Sequence, residues 1–135
     1  MACSITSIEG IDDEVVDKLK QAGIRSLDAL LKRAGDRRGR RLLAGETGLP
    51  ETAILRWTNM ADLMRIRGVG DDYAELLRAT GVDTVRELRH RNAVRLTAAL
   101  MQVNAERRLV REAPGEKRVA KWIEQAKLLP VMMTY

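Results

Sequence analysis

Apolar residues along the chain recur at three- and four-residue intervals and are interrupted by glycines, prolines and small polar residues. That period is the mark of short amphipathic helices, and no stretch alternates strongly enough to argue for a sheet. Asp12 or Asp13 is placed to cap a helix running to about Ala22, and Ser26 to cap the next, through Leu27, Leu30 and Leu31 to Gly35. A basic segment from Asp36 to Ala44 follows. Pro50 suits the first position of a long helix through Ile54, Trp57, Ala61 and Met64, because a residue without an N–H loses nothing there. Thr84-Val85-Arg86-Glu87 has capping-box spacing, Asn92 suits the start of a helix through Val94, Leu96, Leu100 and Met101, and Pro114 opens a terminal helix reaching Leu129.

Residues 63–82 read as two short helices joined by Gly68-Val69-Gly70 and closed by a Gly81-Val82 turn, a helix-hairpin-helix motif. Glycine tolerates the left-handed or crowded backbone that lets a chain reverse within about three residues. Val69, apolar in a polar turn, is expected to point inward; Ala74 is small where the helices cross, and Leu76 and Leu77 supply the buried face. Sliding the chain by 58 positions places Ile8-Glu9-Gly10-Ile11-Asp12-Asp13 on Ile66-Arg67-Gly68-Val69-Gly70-Asp71, and Gly23-Ile24 on Gly81-Val82. Trp57 and Trp122 lie in similar apolar contexts at an offset of 65, so the second copy carries about seven extra residues. The expected fold is all-α: duplicated helix-hairpin-helix repeats, about 5–64 and about 65–130, packed as one compact pseudo-symmetric domain spanning 1–135.

The order of hairpin, Gly-Ile/Val turn, leucine-rich short helix, basic helix and Pro-started helix with a central Trp, occurring twice, resembles the bacterial family called domain of unknown function 4332. The resemblance covers roughly residues 5 to 130 and rests on Ile66-Arg67-Gly68-Val69-Gly70, Gly81-Val82 and the two Trp positions. It implies helix-hairpin-helix repeats more firmly than any activity. A more distant resemblance is to the tandem helix-hairpin-helix units of DNA repair, recombination and topoisomerase proteins, and implies that hairpin amides and the following helix N-terminus hold backbone phosphates.

Composition narrows the function classes. No apolar run is long enough to span a bilayer, and Met1-Ala2-Cys3-Ser4-Ile5 lacks the charged start and apolar stretch of a secretory signal, so the expected location is the cytoplasm, with no membrane partner. Cys3 is the only cysteine and His90 the only histidine, which leaves no zinc cluster and no Cys-x-x-Cys pair. Nucleotide-loop, His-Glu-x-x-His and Gly-x-Ser-x-Gly patterns are all missing. The reading is therefore non-enzymatic, without catalytic residues, metal or cofactor.

Charge points to polyanions. The chain has 24 Lys and Arg against 19 Asp and Glu, and residues 1–31 hold only three of the bases but six of the acids. Arg37, Arg38, Arg40 and Arg41 form the densest cluster, Arg86, Arg89, Arg91 and Arg95 the second, and Arg107, Arg108 and Arg111 the third. A glycine hairpin feeding a helix start offers N–H groups and partial positive charge to a phosphate oxygen. Asp71 and Asp72 after Gly70, and Asp12, Asp13 and Glu14 in the first copy, oppose that and suit helix capping instead. The first hairpin thus reads as structural, and the second stays open between scaffold and phosphate site. The arginine clusters also fit solvated helix faces, with Leu42 and Leu43 packing inward behind the first. With no Phe, and with both Trp in repeated apolar contexts, stacking on single strands has little to build on, and Tyr135 is expected to be exposed. The leading expectation is sequence-independent DNA binding through Gly68, Val69, Gly70, Arg37, Arg38, Arg40, Arg41, Arg86, Arg89 and Arg91. The alternative is a protein-interaction or scaffold module with an acidic protein partner and no nucleic acid.

Overall fold

Small polar residues that interrupt the apolar pattern become helix caps. The computed structural model describes residues 3–8 and 10–135; Met1 and Ala2 of the N-terminal reading and Glu9 of the first hairpin lie outside the described residues. The Asp12 carboxylate accepts the Val15 N–H at 2.9 Å and starts α1 (Asp13–Gln21). The Ser26 hydroxyl accepts from Ala29 at 3.1 Å before α2 (Leu27–Ala34), and Asp36 accepts from Gly39 at 2.7 Å before α3 (Arg37–Thr47). Caps of this kind each stabilise by about 1 kcal/mol. α4 (Glu51–Leu63) begins after Pro50, whose carbonyl accepts the Ile54 N–H at 3.1 Å; Pro50 therefore caps the helix instead of being its first residue.

Four more helices follow: α5 (Asp71–Ala79) begins on Gly70, α6 (Val85–Leu88) on Thr84, α7 (Ala93–Arg107) on Asn92, and α8 (Glu116–Leu128) on Gly115, just after Pro114. The Thr84 hydroxyl takes the Glu87 N–H at 3.3 Å, while the Glu87 carboxylate reaches the Asp83 N–H at 2.9 Å, one residue earlier than a strict capping box. Among the described residues the chain is all-helical, with a short 3-10 turn at Ile5–Ser7 and one isolated bridge between Ser4 and Ser26. No helix among them is long and apolar enough to cross a membrane.

Local backbone geometry recurs at the offsets seen in the sequence. α1 and α5 are both nine residues long and lie 58 positions apart, and α4 and α8 are both thirteen residues long and lie 65 apart. Gly10 and Gly68 take φ of +90° and +93°, and Gly23 and Gly81 +86° and +99°, a region costly for side chains with a Cβ. After α1 the Ile24 N–H donates to the Leu19 carbonyl at 2.9 Å; after α5 the Val82 N–H donates to that of Leu77, also at 2.9 Å.

The chain divides into two compact units: residues up to Asp62 together with Met132–Tyr135, and Leu63–Val131. In unit 1, α2 packs on α3, and Ile5, Leu19, Leu30, Leu31, Leu43, Ile54 and Trp57 are buried. Its last four residues are held by unit 1 itself. The Thr134 N–H donates to the Gly35 carbonyl at 2.8 Å, and Arg40 donates through Nη1 to Ala34 O at 3.0 Å and through Nη2 to Thr134 O at 2.7 Å. Tyr135, exposed as expected, still donates its hydroxyl to Asn59 Oδ1 at 2.9 Å, and Met133 is buried.

In unit 2, α8 packs against α6 and α7, and α5 against α7. Leu63, Ile66, Ala74, Leu76, Leu77, Leu88, Leu100, Val119 and Trp122 are in the core, each buried Leu, Ile or Val contributing about 1.5–3 kcal/mol. Val69, between Gly68 and Gly70, is buried as expected.

Candidate nucleic-acid interface

The Gly68–Gly70 turn is fixed to α8 by backbone and side-chain bonds together. The Arg67 N–H donates to Gln125 Oε1 at 2.9 Å, and Gln125 Nε2 donates back to the Arg67 carbonyl at 3.4 Å. A Cβ on Gly68 would lie 3.5 Å from Trp122 Nε1, ordinary contact, so it is the positive φ that requires glycine there. Gly68 is exposed and Gly70 half-buried, while the Val69 N–H is already donated to the Ile66 carbonyl at 3.1 Å. Gly70 starts α5 without a side-chain cap, and Asp72 Oδ1 accepts the Tyr73 N–H at 2.7 Å. One of the first-turn amides is thus already taken by a carboxylate.

From the first turn of α5, Tyr73 reaches α8. Its ring stands 5.3 Å from that of Trp122 at 58°, its hydroxyl accepts from Arg118 Nη1 at 2.9 Å, and the Arg118 guanidinium lies 5.8 Å from the ring centre. Two clefts share Lys121. One, of about 480 Å³, is bounded by Tyr73, the Pro114-Gly115 start of α8, Lys117, Arg118 and Lys121. The other, of about 690 Å³, is bounded by Arg65, Arg67, Ala120, Lys121, Gln125 and Leu129. Five cationic side chains therefore line the clefts beside the Gly68–Gly70 turn, opposed by Glu112 and Glu124.

The arginines singled out from sequence divide into distinct environments. Arg37, Arg38 and Arg41 are exposed on α3, but Arg40 is only 4% exposed and its guanidinium is directed at the carbonyls of Ala34 and, in the C-terminal segment, Thr134. The packing expected behind this cluster is also altered: at 100° per residue Arg40 and Leu43 share the inward face of α3, and Leu42 is turned out and exposed. Arg86 is exposed. Arg89 is half-buried, with Nη2 donating to the Ala126 carbonyl at 3.1 Å and the Leu129 carbonyl at 2.6 Å at the end of α8. Arg91 is half-buried and leans over the Gly81 turn. Arg40 and Arg89 are thus structural arginines. Gly68, Val69 and Gly70 lie in unit 2 with Arg86, Arg89 and Arg91, and the first arginine cluster lies in unit 1.

Lys117, Arg118, Lys121 and Tyr73 were not legible in the sequence because their association with the Gly68–Gly70 turn is tertiary. The repeat itself held a signal. At the offset of 65, Lys117, Arg118 and Lys121 correspond to Thr52, Ala53 and Arg56, and at 58 Arg65, Arg67 and Tyr73 correspond to Ser7, Glu9 and Val15. Unit 1 has ten basic and ten acidic residues, unit 2 fourteen basic and nine acidic, so the formal excess of +5 belongs to unit 2.

No curated protein and no solved structure matches the chain. The family model described as Domain of unknown function (DUF4332) matches residues 9–129. The chain belongs to that family.

Proposed function

We propose that the protein is a non-enzymatic, cytoplasmic module of tandem helix-hairpin-helix units that binds duplex or structured DNA independently of sequence, and that unit 2 makes the contact. The observation that carries this reading is the row of Arg65, Arg67, Lys117, Arg118 and Lys121 lining the two clefts beside the Gly68–Gly70 turn. Phosphate oxygens are held there chiefly by side-chain charge, with the α5 start contributing its dipole where Gly70 leaves it uncapped. Asp71 and Asp72 keep the phosphate off the helix axis and toward α8. Unit 1, neutral in sum and capped by Asp12 at the matching helix start, serves as scaffold.

Fluorescence anisotropy with labelled duplex, single-stranded and junction DNA at two salt concentrations tests this. Binding is expected to fall steeply with salt, and replacing Lys117 and Lys121 by Ala to lower the logarithmic salt slope by about 0.9 for each lost duplex phosphate contact. Binding to none of the three at low salt refutes the proposal. An unchanged slope in the Lys variant, with a reduced slope when Arg37, Arg38 and Arg41 are replaced, moves the contact to unit 1.

A further inference from the structure

α7 is apolar on two sides. Leu96, Thr97 and Leu100 are buried in unit 2, whereas Val94, Ala98, Met101 and Ala105 are all exposed, Val94 and Met101 by 59% and 57%. At 100° per residue these four, spaced four, three and four apart, fall in one narrow stripe about 16 Å long. A helix that packs one apolar face inward normally turns a polar face outward. The second stripe has the spacing by which one helix receives another, with alanines that permit close approach and a methionine that adapts to its partner.

Charge around the stripe selects the occupant. Residues 89–112 contain six Arg and two Glu, which accounts for four of the five excess positive charges of the chain. Arg95 borders the stripe, and Arg107 and Arg108 stand at its C-terminal end, all three exposed. A second copy is a poor fit: antiparallel pairing brings Arg95 against Arg107 and Arg108, and parallel pairing brings Arg95 against itself. Arg108 closes α7 at φ +49°, whereas α3 closes on Gly48 at φ +77°. An exposed arginine is thus held in a conformation that glycine adopts at lower cost. We infer that the exposed face of α7 docks an amphipathic helix of an acidic partner protein, whose apolar residues interdigitate with Val94, Ala98, Met101 and Ala105 and whose flanking carboxylates meet the arginines. None of the four lines either cleft beside the hairpin, so the inference does not depend on DNA binding.

The test uses the full chain and a fluorescein-labelled synthetic helical peptide with Leu at the matching spacing and Glu on both flanks, beside a peptide with Lys in place of Glu. Saturable binding of the Glu peptide is expected, about tenfold or more weaker for the Lys peptide, and weakened about tenfold in Met101→Glu and Val94→Glu. Arg95→Glu should shift preference toward the Lys peptide. Circular dichroism should show both surface variants as helical as the parent, and their duplex-DNA binding should be unchanged. No saturable binding, equal affinity for the two peptides, or full affinity in both variants overturns the inference. So does a sedimenting dimer that Met101→Glu dissolves, which assigns the stripe to a second copy. Loss of DNA binding in helical Met101→Glu and Val94→Glu protein also overturns it, because the stripe would then contact nucleic acid.

Discussion

α1 begins on Asp12, whose carboxylate occupies the Val15 amide, and α5, 58 residues later, begins on Gly70, which has no side chain to do so. The same two units differ in charge: the first balances, and the second holds the whole excess. They differ also in how they close, since unit 1 holds a returning segment on a buried arginine, and unit 2 packs α6 and α7 against α8, whose clefts are lined with cations. Segments with matching backbone turns can therefore differ in the groups they leave available. On the proposed reading, the unit that completes its own caps and balances its own charge has less to offer DNA.

The strongest way to break the comparison is Gly35→Ala. A Cβ there would lie 2.5 Å from the Met132 carbonyl oxygen and 2.6 Å from that of Leu31, both backbone atoms that cannot swing aside. A loss of about 3 kcal/mol is expected. Hydrogen exchange should show α2 and α3 losing protection while α7 and α8 keep theirs; equal loss in both would mean that the units do not differ in this way.

Next in size are the two structural arginines. Arg40→Ala removes charge-assisted bonds to two carbonyls from a buried site and should cost about 2 kcal/mol in urea unfolding. Arg89→Ala, which removes bonds from one Nη to the Ala126 and Leu129 carbonyls at a half-buried site, should cost about 1 kcal/mol. A larger loss from Arg89 would reverse the ranking of the units.

The smallest effect is the most informative about function. Gly70 has φ −89°, which any residue adopts, and a Cβ there would meet only Asp72 Oδ1 at 3.5 Å. Gly70→Asp should give α5 the cap that α1 has, raising thermal stability by about 0.5 kcal/mol. The same change adds a carboxylate at the proposed phosphate site, so DNA affinity should fall as stability rises. Both quantities moving together would sink the idea that the uncapped start of α5 matters for binding.

Helix starts were legible in the sequence because capping is local chemistry: Asp12, Ser26, Thr84 and Asn92 each accept an amide three residues ahead, although the same role of Asp36 went unread beside its arginines. Spacing also made the burial of Val69, Ala74, Leu76, Leu77 and both tryptophans legible. Burial of Arg40 was not, because four arginines within five positions look alike until tertiary carbonyls choose one. The Tyr73–Arg118 pair, 45 residues apart, was hidden for the same reason. The outward stripe of α7 was masked by its own regularity, since an apolar residue at helical spacing carries no mark of which side it faces.

Residues 132–135 belong to unit 1, although unit 2 comes between them and the rest of it. An N-terminal part usually folds first during synthesis, but unit 1 lacks its last segment until all of unit 2 has been made. Unit 2 is one uninterrupted segment and has all its residues before the peptide that clasps Gly35 and Arg40 has been made. Until Thr134 emerges, the Arg40 guanidinium has one of its carbonyl partners and waits for the other.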